Sequence, residues 1–129
     1  KLFKVKNENF PYLKKTYSKN DIVNCTYIVG LTNNDYKKIR FYESIEYQLS
    51  NIIISLENEK IETNYFELIK KHKTKEKWAY EEWEHRYENF SCIAAKEWMS
   101  LFKKYKNNPG KAELYWKKIL TNTKLKVHK

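Results

Sequence analysis

Apolar side chains recur at helical spacing from residue 42 onward, and polar side chains fill the positions between them. The first stripe, at intervals of three or four residues, consists of Tyr42, Ile45, Leu49, Ile52 and Leu56. Such spacing places apolar residues on one face of a helix. Thr32 and Asp35 have the spacing of a capping box just before this stripe. The pattern therefore predicts a helix over residues 33–58.

A second, longer stripe predicts a helix over residues 75–106. It consists of Tyr80, Trp83, Tyr87, Phe90, Ala94, Trp98, Leu101 and Tyr105. Thr63 can cap a short helix over residues 64–73. Asn108 followed by Pro109 has the order of a cap and a first helical residue, which predicts a last helix over residues 109–121.

The N-terminal part of the chain follows a different pattern. Residues 1–31 contain two β-branched and aromatic runs, punctuated by Pro11 and Gly30. They could form one or two short strands or an extended arm over helices, and the arm is favoured. Residues 122–129 are expected to be a basic tail. The expected fold is all-α: an antiparallel bundle over residues 32–121, with three long or medium helices and one short helix.

Composition agrees with this expectation and offers no catalytic or metal chemistry. The 129 residues suit one domain, and only two Gly and two Pro disfavour a fold of many short strands. Cys25 and Cys92 form no CxxC pair, so no zinc site is expected, and they could be one disulfide or two free thiols. Glu82 and His85 form a single Glu-x-x-His, whereas di-iron bundles need two. We therefore expect that the protein binds no cofactor or metal and is not an enzyme.

Charge is concentrated at the two ends of the chain. The formal net charge is +10, and residues 103–129 carry nine lysines against the single acid Glu113. Basic surfaces attract acidic proteins, anionic lipids and nucleic acids. An excess of Lys, Asn and Ile also arises in A/T-rich genomes, so the lysines could instead reflect codon bias.

The candidate partner-binding residues surround the corner between the last two predicted helices, where lysines alternate with aromatic residues. They are Lys103, Lys104, Lys106, Lys111, Tyr115, Trp116, Lys117 and Lys118. Trp78 lies off the apolar stripe and is added as the tryptophan expected to be exposed. These residues predict a non-enzymatic helical module that holds an acidic protein partner. The alternative is a domain that binds anionic lipid or nucleic acid through the same lysines.

Two segments resemble the helical domains of proteins exported by malaria parasites. Residues 32–39 (TNNDYKKI) look like the first helix of the Plasmodium helical interspersed subtelomeric (PHIST) domain, and residues 96–102 (KEWMSLF) look like its last helix. The Trp-rich and Glu-rich texture of residues 78–98 is similar to that of tryptophan-rich antigens. The resemblance implies an adaptor exported into the host red cell, near its membrane or cytoskeletal proteins. Without it, a cytoplasmic location is expected.

Overall fold

The computed structural model describes residues 1–128, except for the side chain of Lys70, and its secondary structure is mixed. Helical residues make up 44% of the chain and strands 25%, so the predicted all-α bundle is wrong. The strands are β1 (Leu2–Val5), β2 (Pro11–Leu13), β3 (Tyr47–Leu56), β4 (Glu59–Leu68) and β5 (Lys73–Lys77). The helices are α1 (Asn33–Glu43), α2 (Tyr80–Arg86), α3 (Glu88–Ser100), α4 (Phe102–Tyr105), α5 (Pro109–Ala112) and α6 (Trp116–Val127).

The largest correction concerns residues 47–68, where a β-hairpin replaces the second half of the predicted helix over residues 33–58 and most of the predicted short helix over residues 64–73. Strands β3 and β4 pair antiparallel, from Tyr47 opposite Leu68 to Leu56 opposite Glu59. Three consecutive isoleucines at 52–54 favour a strand, because β-branched side chains are restricted in helices. The turn residues Glu57 and Asn58 both have positive φ, as a two-residue hairpin turn requires.

Residues 1–31 contain two strands as well as an extended segment. Strand β1 pairs with β2 on one side and with β5 on the other, both antiparallel. The order of the sheet is β2-β1-β5. The hydroxyl group of Thr74 on β5 donates a hydrogen bond to the carbonyl of Lys4, and Tyr12 donates to the carbonyl of Thr74. Residues 14–31 carry no regular structure, so only this part of the segment resembles the expected arm.

The predicted helix over residues 75–106 is divided into several elements. Its first residues belong to β5, and the helical part is interrupted at Tyr87 and at Leu101. Tyr87 has φ −124° and ψ −11°, which is outside the helical region and separates α2 from α3. The stripe still orients α3 correctly, because Ala94 and Trp98 are buried.

Two local predictions are confirmed at helix starts, and one is corrected at the C-terminus. Thr32 and Asp35 form a capping box at α1, and Asn108 caps α5 with Pro109 at its first turn. The predicted last helix over residues 109–121 is divided into α5 and α6, and α6 continues to Val127 with Thr123 fully buried. Most of the expected tail over residues 122–129 is therefore helical, and Lys129 lies outside the described residues.

The apolar side chains form two separate clusters. In the helical cluster, Phe41 of α1, Trp98 of α3 and Ile119 of α6 pack together. In the sheet cluster, Val5, Tyr12, Tyr47 and Leu68 pack together. The space between the clusters is an open cleft, and half of the half-buried aromatic residues line it.

Candidate functional site

The lysines predicted to bind a partner all lie on the protein surface around α4, α5 and the start of α6. This surface, called the basic face below, consists of Lys103, Lys104, Lys106, Lys111, Lys117 and Lys118. Among the ion pairs formed by residues 1–128, none involves these six lysines. Their charges are therefore compensated by solvent.

Two tyrosines lie among the lysines. The hydroxyl groups of Tyr105 and Tyr115 share a hydrogen bond of 3.0 Å, and the ammonium of Lys104 lies 5.3 Å from the centre of the Tyr105 ring. The hydrogen bond with Tyr115, together with the charges of Lys104 and Lys111, lowers the pKa of Tyr105. Lys104 and Lys111 therefore converge on this tyrosine pair.

The two tryptophans assigned to the same site lie elsewhere. The Trp116 indole packs edge-on against Trp98 and donates a hydrogen bond to a carboxylate oxygen of Glu8, at 3.1 Å. Trp78 is half-buried, and its indole donates to the carbonyl of Asn9, at 3.0 Å. Both tryptophans line the cleft. The structure thus brings Tyr115 to the lysines and separates Trp116 and Trp78 from them.

The cleft has a volume of about 690 Å³, within the range of small-molecule sites. Its walls come from residues 7–13, from the end of α1 and the turn before β3, and from helices α2, α3 and α6. All four tryptophans of the chain contribute to them: Trp78, Trp83, Trp98 and Trp116. Four glutamates also line the cleft, namely Glu8, Glu43, Glu46 and Glu113, and Lys124 is its one lysine. The cleft of this basic protein is therefore acidic.

The four glutamates are half-buried, and three of them, Glu8, Glu46 and Glu113, repel one another. Burial raises the pKa of Glu8, and the charges of Glu46 and Glu113 raise it further. Burial likewise raises the pKa of Glu113, with a further contribution from Glu46. Burial also raises the pKa of Glu43, although Arg40 opposes the shift. Partial loss of water disfavours the ionised forms of Glu8, Glu43 and Glu113, so a positive charge beside them would stabilise these forms.

Ser44 holds the rim of the cleft in an unusual backbone conformation. Its φ of 66° and ψ of −170° fall in a region that residues other than glycine rarely adopt. The Arg40 guanidinium donates to the carbonyls of Ser44 and Tyr47, each at 2.8 Å, and the Ser44 hydroxyl donates to Glu113. No histidine in the described chain is hydrogen-bonded to Ser44, so a nucleophile paired with a histidine base is not assembled there.

Three aromatic rings form a cluster at the cleft beside α2. The ring centres of Trp78, Tyr80 and Trp83 lie 6.0 to 6.4 Å from one another, and the rings are tilted. The charge of Glu84, together with burial and with the charges of Glu88 and Glu81, raises the pKa of Tyr80. We call these three rings the aromatic cluster, and acidic side chains flank it.

Sequence patterns could not have found the cleft, because its acidic residues are far apart in the chain. Glu8 precedes β2, Glu43 and Glu46 flank Ser44, and Glu113 follows α5. The one available signal was Glu113 itself, which is the single acid in a strongly basic segment.

Other candidate chemistries find little support in residues 1–128. No group of three or more His, Cys, Asp or Glu side chains there could hold a metal ion. Cys25 and Cys92 are exposed free thiols. The helices of the described chain lack the length and apolar character needed to cross a membrane.

Comparisons of the chain with protein-family models, with curated proteins and with solved structures found no match.

Proposed function

We propose that this chain is a non-enzymatic binding module that holds an acidic protein partner on its basic face. The observation that supports the proposal is the absence of ion pairs at the six lysines of this face, whereas Lys73 and Lys126 pair with glutamates elsewhere in the described structure. Unpaired exposed cations attract acidic surfaces and speed their association.

An apolar group on the same face favours a protein partner over a simple polyanion. Leu114 is 80% exposed and Tyr115 is 40% exposed, and both lie between Lys111 and Lys117 in the sequence. Lysines give attraction with little geometric selectivity, so an apolar anchor is what a peptide partner would add. Anionic lipid or nucleic acid is the alternative partner, because the same lysines would attract phosphates.

The proposal is tested by reversing charge on the basic face. Replacing Lys103, Lys104, Lys117 and Lys118 with Glu should weaken binding to a glutamate-rich peptide at least about tenfold, since even a modest loss at each lysine sums to more than about 1.4 kcal/mol. The control replaces Lys19, Lys37, Lys60 and Lys75 with Glu. These lysines are also exposed but belong to other parts of the fold.

Both variants have the same net charge, so the comparison separates a local site from general attraction. If the control loses as much affinity as the first variant, the basic face is not a site. Leu114→Ser should weaken binding of the peptide but not of single-stranded oligothymidylate or phosphatidylserine vesicles. Equal binding of all three probes by Leu114→Ser and the parent would favour the lipid or nucleic-acid alternative.

The resemblance to exported Plasmodium proteins adds a location to the proposal, namely the host red cell. The sheets over residues 1–13 and 47–77 depart from the helical fold that this resemblance implies. The location is tested by expressing the tagged chain with an export signal in blood-stage parasites. Recovery of an acidic host or parasite protein with the parent, but not with the charge-reversed variant, is the expected result.

A further inference from the structure

We propose that the cleft is a binding site for an organic cation, such as a quaternary ammonium or the ammonium of a lysine side chain. The ligand would place its charge against the aromatic cluster and the glutamates, and its apolar part along the tryptophans of the wall. This site is separate from the basic face, and it selects ligands of the opposite charge.

The three rings of the aromatic cluster can attract a cation. A cation within about 6 Å of an aromatic ring centre is attracted to the face of the ring, most strongly for tryptophan. The centres of Trp78, Tyr80 and Trp83 lie 6.0 to 6.4 Å apart. The ring planes are inclined to one another by 33° to 63°, and a cation above the triangle of the three centres lies within that range of all of them. Tyr80 is 53% exposed, so the cluster is accessible from solvent.

The negative charge of the cleft also favours a cationic ligand. Its four glutamates face one lysine, Lys124, and the charge of Arg40 also acts on Glu43. The His72 imidazole lies 4.0 Å from Glu46 and adds a positive charge only when it is protonated. The remaining carboxylates accept hydrogen bonds from neutral donors, Trp116 to Glu8 and Ser44 to Glu113. A bound cation would compensate charge that is partly removed from water, which makes the contact stronger than a surface ion pair.

The remaining features of the cleft exclude other ligand classes. An anion would meet four carboxylates, and a neutral apolar ligand would leave them uncompensated. A metal ion is disfavoured, because the described carboxylates form no group of three at ligand distances. An organic cation matches both the aromatic walls and the charge.

The test uses a cation and its neutral isostere. We expect choline to bind to the parent protein, detected by calorimetric titration and by shifts of the Trp78 and Trp83 indole N–H signals in NMR spectra. 3,3-Dimethyl-1-butanol has the same shape without the charge and should bind at least about tenfold more weakly. Equal binding of the two compounds, or binding of neither, would overturn the proposal.

Variants of the cleft sharpen the test. Tyr80→Leu removes a ring face but keeps apolar volume, and Glu113→Gln removes charge but keeps an acceptor for Ser44. Each should weaken choline binding about five- to tenfold, the scale of one cation–π or charge-assisted contact. Lys124→Gln should instead strengthen it. The matched controls Tyr17→Leu and Glu59→Gln lie at exposed positions outside the cleft and should have no effect.

A second pair of probes distinguishes the source of the cation. A short peptide with one trimethyllysine is titrated in competition with choline, and the two affinities are compared. If the peptide binds at least as tightly as choline, the site takes a protein side chain, whereas preference for choline assigns it to free amines. If Tyr80→Leu and Tyr17→Leu reduce choline binding equally, the aromatic cluster is not the site.

Discussion

The basic face and the cleft lie on the same small protein, carry opposite charges and differ in their exposure to water. The six lysines of the basic face are exposed and unpaired within the described structure, whereas the four glutamates of the cleft are half-buried between aromatic rings. Exposed charges act over long distances but contribute little per contact, because water screens them. Half-buried charges act over short distances and contribute more. The number of charges alone therefore does not predict which of the two regions would bind a ligand more tightly.

The boundary between the two regions is the start of α6, where adjacent residues belong to different sites. Tyr115 joins the hydrogen-bonded tyrosine pair of the basic face, and the next residue, Trp116, packs against Trp98 in the cleft. A helix sends consecutive side chains in different directions, so neighbours in sequence need not share a function.

The largest expected effect is a loss of stability when Trp98 is replaced, because this residue lines the cleft and also belongs to the helical cluster. Trp98 is 4% exposed, stacks on Phe41 at 5.0 Å and donates its indole N–H to the Phe41 carbonyl, at 3.1 Å. Trp98→Ala should lower the free energy of unfolding by roughly 3–5 kcal/mol in urea denaturation, as for other buried aromatic residues. The charge-reversed basic face should change it by less than about 0.5 kcal/mol. A smaller loss for Trp98→Ala than for the half-buried Trp78→Ala would contradict this assignment of the helical core.

Salt dependence gives the next largest effect and separates the two regions directly. Binding of a glutamate-rich peptide to the basic face should weaken by at least about tenfold between 0.1 M and 1 M NaCl, because the Debye length falls from about 10 Å to about 3 Å. Choline binding in the cleft should change about threefold or less, since its contacts are short and partly shielded from solvent. Equal salt dependence at both sites would remove the distinction between them.

The parts of the fold that the sequence predicted depend on neighbouring residues. The cap residues Thr32 and Asn108 act within one turn, and the stripe through Ala94 and Trp98 identifies the buried face of α3. The β-hairpin was missed because its apolar spacing also fits a helix, and its turn, Glu57-Asn58, lacks the glycine that usually marks such turns. Pairing between β3 and β4 then decided the conformation, and pairing is not visible in a helical pattern.

The two candidate sites also differ in how far apart their residues lie in the sequence. The lysines of the basic face are close in sequence, so composition alone located them. The cleft is assembled from Glu8 near the N-terminus, the turn around Ser44 and Glu113 near the C-terminus. Its parts come together only when the two apolar clusters pack on either side, and no local pattern reports that packing.

The smallest expected effect is a change in the stability of the protein when Glu113 is replaced with Gln. This change measures the cost of holding a negative charge in the cleft. The charged groups that influence Glu113 are Glu46 and Glu8, which repel it, and His72, which attracts it. Burial raises the pKa of Glu113 above its usual 4.5, so the folded state holds the proton to a higher pH than the unfolded chain does. The stability contributed by this group is therefore fully present below that value and is lost as the pH rises through the folded-state pKa.

Glu113→Gln removes this titration and leaves an acceptor for the Ser44 hydroxyl. The variant should be more stable than the parent at pH 7, by less than about 1 kcal/mol because the group is partly solvated. The advantage should shrink towards zero as the pH falls below 4.5, where Glu113 is neutral in the folded and unfolded states alike. Urea denaturation at several pH values measures the difference, and Glu59→Gln on the exposed hairpin should match the parent throughout. A variant less stable than the parent at pH 7 would mean that the ionised carboxylate stabilises the rim of the cleft through Ser44. Greater stability combined with weaker choline binding would instead show that the cleft retains a destabilising charge that serves ligand binding.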